Sequence, residues 1–274
     1  MVCAACVVGA SAQTHFRLAD RSTIEAHLKS FSTKNSEREA LIRKWFVESG
    51  CKDANLSEQS LENKLPPNVI CVLPGETPEV IVVGAHTDHV DSAGDGVVDN
   101  WTGASLLPGL LFSLKAQPRH HTFVFIGFSA EEQGLVGSAY YADHLTTGQR
   151  ARIGAVVNLD SLGLGPTEVW ATHADQSLLN ALAATGTASK LPVSAMNVDD
   201  LGTADSESFA SYHIPRITLH SVTEETWPVL HSAHDQLAAV KMKEYYDSYR
   251  LIAAYLAYLD EVLGKPAAQS TKPD

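Results

Sequence analysis

Several apolar runs in this chain, rich in β-branched and aromatic residues, each end in a histidine or a carboxylic acid. The clearest is the run at 122–128, which is followed by Ser-Ala-Glu-Glu-Gln-Gly at 129–134. Two adjacent carboxylates at the end of a buried strand are costly, because a charge that leaves water needs a partner. A cation would supply that partner, with one carboxylate binding it and the other free to transfer protons. A solvated pair at the start of a helix is the simpler alternative, and the rest of the chain must distinguish the two.

Helix and strand patterns alternate along most of the chain. A capping box at Ser36 and Glu39 precedes apolar residues at helical spacing and predicts a helix over 37–49. Two strand-like runs, 69–73 and 80–84, are separated by a segment with two prolines and a glycine, which indicates a hairpin and an antiparallel side of the sheet. Further strands are expected at 122–128, 155–159, 168–171 and 216–219, and further helices at 103–116, 134–144, 175–189 and 239–262. This alternation predicts a single α/β domain with a mixed, mostly parallel central sheet flanked by helices on both faces.

Composition excludes several classes of partner. The chain has 274 residues, of which 45% are hydrophobic, so it can bury a large core. Its 20 basic and 32 acidic residues leave a formal charge of −12, which argues against nucleic acids and anionic membranes as partners. No run approaches the ~18 apolar residues that a transmembrane helix needs.

The two ends of the chain differ from the middle. Residues 1–13 are small and apolar and resemble the end of a secretory signal peptide, although they lack a basic region. Residues 265–274 are rich in Pro, Ala, Ser and Lys and are expected to be disordered, which leaves the domain at 14–264. Cys51 and Cys71 flank one loop and could form a disulfide in an oxidising compartment, whereas two unrelated buried thiols are the alternative. A leader and a disulfide together predict an extracytoplasmic protein.

Residues of the metal-binding type lie at the ends of the expected strands and in the loops after them. His86 closes one strand, and Asp88, two positions on, could orient its ring. Asp99 lies in a Gly-rich loop before a helix, where it could reach a metal or cap the helix. Asp160 follows another strand, and His231 precedes the last long helix. In open α/β sheets such ends converge on one crevice at the carboxyl edge.

Histidine and carboxylate ligands without cysteine suit zinc, with manganese or cobalt as substitutes. Five ligands with one shared carboxylate would hold two ions ~3.5–4 Å apart, as in co-catalytic hydrolase sites. The HExxH, GxSxG and Walker A motifs are absent. Most other histidines lack a carboxylate in their sequence context and are interpreted as surface or structural residues. His89, His220 and His234 stay open, because they adjoin candidate ligands or lie at a strand end.

Five motifs occur in an order that resembles a known family. They are GAHTDHVD, GVVDN, SAEEQGLVGS, NLDSLG and LHSAHDQ, spread over roughly 80–237. The resemblance is to the secreted bacterial di-zinc aminopeptidases of the leucyl type, in a clan that also includes the glutaminyl cyclases. It implies that His86, Asp99 and Asp160 hold one Zn²⁺ and that Asp99, Glu132 and His231 hold the other. It further implies that Glu131 is the general base and that Asp88 supports His86.

The resemblance implies an enzyme that hydrolyses the N-terminal residue from peptides with a free N-terminus. A glutaminyl cyclase-like zinc acyltransferase and a non-catalytic homologue are the alternatives. Two departures stand out. Asp205 is kept as an expected supporting residue, but Ser206 stands where relatives often have His. Relatives also often have a Tyr near the final His, where this chain has Trp227 and Leu230, so no residue is assigned to that role.

Overall fold

The computed structural model describes residues 16–91, 93–199 and 202–264, so the expected leader and tail lie outside the described residues. Within these ranges the strands are β1 (Leu56–Gln59), β2 (Asn68–Leu73), β3 (Val80–His86), β4 (Thr122–Phe128), β5 (Ile153–Leu159), β6 (Thr167–Val169), β7 (Val193–Ala195) and β8 (Arg216–His220). The α-helices are α1 (Arg21–Lys29), α2 (Asn35–Glu48), α3 (Thr102–Ala104), α4 (Leu107–Lys115), α5 (Val136–His144), α6 (Thr147–Arg150), α7 (Gln176–Ser189) and α8 (Met242–Val262).

The strands form one mixed sheet in the order β1-β2-β4-β3-β5-β8-β6-β7. The central strands β4, β3, β5 and β8 run parallel to one another, and the antiparallel pairings lie towards the two sides. The expected fold class is therefore confirmed. Because β4 and β5, the next two strands along the chain, lie on opposite sides of β3, a crevice is expected at the carboxyl end of β3.

The hairpin expected between β2 and β3 is wrong. β4 lies between the two strands, antiparallel to β2 and parallel to β3. The Pro-rich connection instead bonds to the segment before β4, where Glu76 N donates to Arg119 O at 3.0 Å and Thr77 N to His120 O at 2.9 Å. A continuously apolar strand such as β4 is best buried in the centre of a sheet. That preference overrides the local turn signal, although the predicted antiparallel side exists.

Alternation along the strands divides the core into two layers. Phe123 and Phe125 of β4 pack in the larger layer with α8, whereas Val124 and Ile126 face the smaller layer with Ala142 of α5. Successive strand side chains point to opposite faces, so an apolar strand needs a cover on both. The helices supply that cover, which leaves the carboxyl edge of the sheet as the accessible part of the central strands.

Several predicted boundaries differ in detail. Helix α2 begins at Asn35, with no side-chain cap, so the capping box at Ser36 is wrong. Glu39 instead points inward, 3.5 Å from Thr87 Oγ1. The helix expected over 103–116 is interrupted after α3, and the last helix starts at Met242.

A disulfide joins Cys51, just after α2, to Cys71 in β2, as expected. It fastens the N-terminal helices to the antiparallel side of the sheet. Among the described residues, no helix is long and apolar enough to cross a membrane.

Candidate metal centre

His86 lies at the carboxyl end of β3, and its side chain is only 1% exposed. Its Nε2 atom is 3.2 Å from Asp99 Oδ1, 3.6 Å from Asp160 Oδ1 and 3.9 Å from Glu131 Oε2. On the other side of the ring, Nδ1 is 3.1 Å from the backbone carbonyl of Asp88. A carbonyl only accepts, so Nδ1 carries the proton in this contact and Nε2 is left to face the carboxylates. With Nδ1 held by that carbonyl, Nε2 is the nitrogen that would bind a cation once the cation displaces its proton.

Asp99 connects two groups of candidate ligands. Its Oδ1 faces His86, and its Oδ2 is 3.1 Å from His231 Nε2, which is also 3.1 Å from Glu132 Oε2. In each of two groups, one ligand atom per residue lies within 4.8 Å of the others: His86, Asp99 and Asp160, and Asp99, Glu132 and His231. The five residues expected to be ligands are thus brought together, in the two sets that the resemblance implies. A third group of the same size contains His86, Glu131 and Glu132, so geometry alone also allows Glu131 to be a ligand.

The turn after β4 positions the two adjacent glutamates. Ala130 has a left-handed backbone (φ 57°), and the amides of Glu131 and Glu132 donate to Asp88 Oδ1 and Oδ2 at 3.0 and 3.2 Å. Asp88 was expected to orient His86 with its carboxylate. That carboxylate lies 3.7 Å from His86 Nδ1, farther than the Asp88 carbonyl. Asp88 therefore supports the site twice, through its carbonyl at the ring and through its carboxylate at the glutamate turn.

Two other residues of the candidate site have a positive φ. Ser161, after Asp160, has φ 54°, and His231 itself has φ 49°. Non-glycine residues adopt this region at a cost of about 1–3 kcal/mol each, and such residues concentrate at functional sites. The surrounding structure therefore holds the backbone in conformations that the local sequence does not favour.

The charges of the cluster are strongly coupled. Burial raises the pKa of Glu131, the charge of His86 opposes this and nearby carboxylates add to it, and together these effects bring the pKa to about 9. Burial also raises the pKa of Asp160. Burial disfavours ionised Asp99, but hydrogen bonds from His231 and His86 outweigh it and lower the Asp99 pKa. Hydrogen bonds to Asp99 and Glu132 raise the pKa of His231 to about 10. The cluster therefore attracts positive charge.

A buried carboxylate lies close to this cluster. Asp205 is fully buried, and neither of its carboxylate oxygens has a well-formed hydrogen bond within the described part of the chain. Burial raises its pKa to about 7, and the charges of His86 and Asp160 act on it. Ser206, where relatives often have His, has its hydroxyl 2.8 Å from Thr218 Oγ1.

Asp235 was missed as a site residue, although it lies within the HSAHD motif. It is buried, and its carboxylate accepts hydrogen bonds from the amides of Val98 at 2.6 Å and Asp99 at 3.1 Å. It therefore fixes the backbone that presents Asp99. Its position four residues after His231 is the only sequence signal that pointed to it.

The three open histidines have no direct place among the candidate ligands. His220 is buried, bonds to Met196 O through Nε2 and accepts Val222 N at Nδ1, and burial lowers its pKa to about 4. His89 bonds to Asn35, and His234 is exposed. Three of the histidines interpreted as surface or structural do lie near carboxylates: His121 Nδ1 is 3.1 Å from Asp260 Oδ1, His173 Nε2 is 3.0 Å from Asp199 Oδ1, and His120 Nδ1 is 3.7 Å from Glu76 Oε2.

A cavity of about 280 Å³ opens beside the cluster. Its lining combines the candidate ligands and Glu131 with apolar side chains, which include Trp170, Val222, Trp227 and Leu230. Clustered imidazole and carboxylate groups next to apolar side chains, at the carboxyl edge of an α/β sheet, define a candidate metal site with room for a small organic ligand.

The chain belongs to Peptidase family M28, whose model matches residues 68–256. It is 27% identical over 213 residues to aminopeptidase YwaD of Bacillus subtilis, and the matched region covers 74% of this chain and 47% of that protein. The structure of BSAP, a zinc aminopeptidase from Bacillus subtilis, superposes with a TM-score of 0.65 at 24% identity over 74% of this chain and 52% of that one.

A glutaminyl cyclase from an Acidobacteriales bacterium has a TM-score of 0.76 at 16% identity, over 92% of this chain and 98% of that one. The two structural likenesses, at these identities, show a shared fold. The chain spans less than half the length of the curated relatives it matches.

Proposed function

We propose that this protein is a di-zinc aminopeptidase, which removes the N-terminal residue from peptides with a free N-terminus. One observation carries the proposal: the two oxygens of Asp99 face two different histidines, each within a separate group of three candidate ligands. A single carboxylate in that position can bridge two cations. Membership of a peptidase family and similarity to aminopeptidases support the peptide substrate.

The residues present fit such a pair of cations. The donor set contains imidazole nitrogen and carboxylate oxygen without sulfur, which suits zinc and also cobalt or manganese. Glu132 Oε1 is buried without a hydrogen-bond partner in the described chain. One ion would be held by His86, Asp99 and Asp160, and the other by Asp99, Glu132 and His231. Bound ions would neutralise the packed carboxylates and supply the Lewis acidity that activates water and polarises a carbonyl.

Glu131 is the residue we assign as the general base. Its carboxylate lines the cavity and is not needed by either group that shares Asp99. It would take a proton from the attacking water at a carboxylate oxygen and return that proton to the departing amine. Its pKa of about 9 in the metal-free protein means that it is protonated at neutral pH. Nearby positive charge favours the carboxylate form, so cation binding would bring Glu131 into the state that a base needs.

The cavity would orient the substrate. The apolar side chains of its lining, among them Trp170 and Trp227, would receive the side chain of the first residue, and the carboxylates of the lining would attract its charged α-amino group. The domain performing this reaction would span 14–264. The disulfide supports an extracytoplasmic location, where such bonds persist.

Hydrolysis of aminoacyl-p-nitroanilides by the purified protein tests the proposal. Leucine-type substrates should be cleaved, a chelator should abolish cleavage, and zinc or cobalt should restore it. N-acetylated substrates serve as the matched control and should not be cleaved. Full activity in metal-free protein would contradict the proposal, and cyclisation of N-terminal glutamine without hydrolysis would identify the acyltransferase alternative.

A further inference from the structure

Arg38 is a buried cation directly behind the candidate metal centre. It lies on α2, outside the 68–256 segment matched by the family model, and its side chain is fully buried. Its guanidinium lies 5.5 Å from the centre of the Trp101 ring. It is not among the residues that line the cavity, and its hydrogen bonds go to backbone carbonyls and not to the candidate ligand atoms. A charge that is buried away from water needs hydrogen-bond partners that offset the free-energy cost of its desolvation.

The partners of Arg38 are backbone carbonyls on the two loops that carry ligands. Nη1 donates to Thr87 O at 3.2 Å, one residue after His86, and Nη2 donates to Asp95 O at 2.6 Å, in the loop that leads to Asp99. Nε donates to Ser32 O at 2.7 Å and thereby fixes the guanidinium itself. The planar fork of an arginine can hold two carbonyls at a defined separation, which the single ammonium of a lysine does not reproduce.

Asn35, on the same face of α2, holds the first of these loops at a second point. Its side-chain oxygen accepts from His89 N at 3.2 Å and lies 2.7 Å from His89 Nδ1, and its amide donates to His89 O at 3.3 Å. Residues three apart on a helix lie on one side of it, so one helical face contacts residues 87 and 89 together.

The second loop is linked in turn to the segment that carries His231. Asp95 N donates to Asp235 O at 2.8 Å, and the Asp235 carboxylate accepts from the amide of Asp99. The charges of Asp235, Asp88 and Asp99 all favour the protonated guanidinium, although burial lowers the Arg38 pKa to about 10. Arg38 therefore stays charged at neutral pH and opposes the excess of negative charge behind the site.

We propose that Arg38 is a positioning residue for the metal centre, which sets the spacing of the His86 loop and the Asp99 loop by bonding to both backbones. This inference rests on the proposed function, because it assumes that these loops hold metal. It assigns a role in metal binding to an N-terminal helix that contributes no ligand.

Zinc affinity measured by chelator competition tests the inference on Arg38→Lys, with thermal unfolding of the metal-free protein measured in parallel. Outer residues that orient ligands are typically worth ~10–100-fold in metal affinity, so a loss of that size is expected. KM should change little in fully metal-loaded enzyme, because Arg38 does not line the cavity. Arg43→Lys is the matched control, since Arg43 lies on the same helix but is exposed and paired with Glu58, and it should keep wild-type affinity.

The outcomes separate this inference from the proposed function. Wild-type zinc affinity in folded Arg38→Lys, even with a lowered unfolding temperature, would show a purely structural role and overturn it. If Arg38→Lys does not fold, Arg38→Gln decides, because its neutral amide cannot hold both loops and leaves no buried charge unpaired: a lower zinc affinity in folded protein supports the inference and wild-type affinity overturns it. A wild-type protein that binds no zinc would instead contradict the proposed metal centre.

Discussion

Replacing the two adjacent glutamates separately distinguishes a base from a ligand. Glutamine has nearly the shape of glutamate. The bonds to Asp88 come from the backbone N–H groups of residues 131 and 132, so the turn should survive either change. Glu131→Gln should keep both metal equivalents but lose proton transfer, which is worth ~10²–10⁴-fold in rate. That corresponds to about 3 to 5 kcal/mol of transition-state stabilisation. The loss should fall on kcat, because Glu131 is not assigned to either ion.

Glu132→Gln should behave differently, because Glu132 Oε2 is 3.1 Å from His231 Nε2 and completes one of the two groups around Asp99. It should lose metal, from two equivalents towards one, and should recover part of its activity when zinc is added in excess. Elemental analysis after dialysis against a weak chelator, together with kcat and KM, measures both effects. Glu58→Gln, exposed and paired with Arg43, is the control. If Glu131→Gln loses metal and Glu132→Gln retains it, the two roles are reversed, and the group of His86, Glu131 and Glu132 is the one that binds.

Two further predictions concern stability. Replacing Cys51 and Cys71 by alanine should lower the free energy of unfolding by about 3 kcal/mol, because in the chain-entropy model the disulfide restricts a loop whose ends are 20 positions apart. Denaturant titration with and without reductant measures this loss, and an unchanged unfolding midpoint would contradict the prediction. Burial raises the pKa of Glu39 to about 7, so Glu39 contributes stability that is present below its unfolded pKa near 4.5 and is lost as the pH rises through about 7. Glu39→Gln should therefore flatten the pH dependence of stability in that window, and a curve identical to that of the wild type would exclude a buried, protonated Glu39.

The elements of the fold could be predicted from the sequence better than their pairing. Strand β4 occupies the predicted residues because its run of β-branched and aromatic residues is continuous, and α7 begins one residue after its predicted start. The prediction of a hairpin between β2 and β3 is wrong, because a turn signal depends only on nearby residues. The strand that lies between them, β4, comes from about 40 positions later in the chain. The prediction of a capping box at Ser36 is also wrong, because it too was based on neighbouring residues alone. Tertiary contacts with the His86 loop set the start of α2 instead.

The candidate site divides in the same way. The candidate ligands could be named from the strand ends, the loops near them and the motifs that resemble a known family, because parallel strands bring their carboxyl ends to one edge whatever their exact register. The contacts that hold those side chains in place could not be predicted in this way. That Asp88 bonds the glutamate turn through its carboxylate, and that Asp235 fixes Asp99, depends on side chains from distant segments.

The sequence by itself determined which chemistry is available here: an α/β sheet, a set of imidazoles and carboxylates at its carboxyl edge, and two cysteines that can pair. Periodicity and residue type specify these properties, and both are local. Only the tertiary structure decided which oxygen of Asp99 faces which histidine and that Arg38 of the N-terminal helix bonds to both ligand loops. Those relations arise where packing buries polar groups, because each buried group must then find its partner among residues that are close in space and not in sequence.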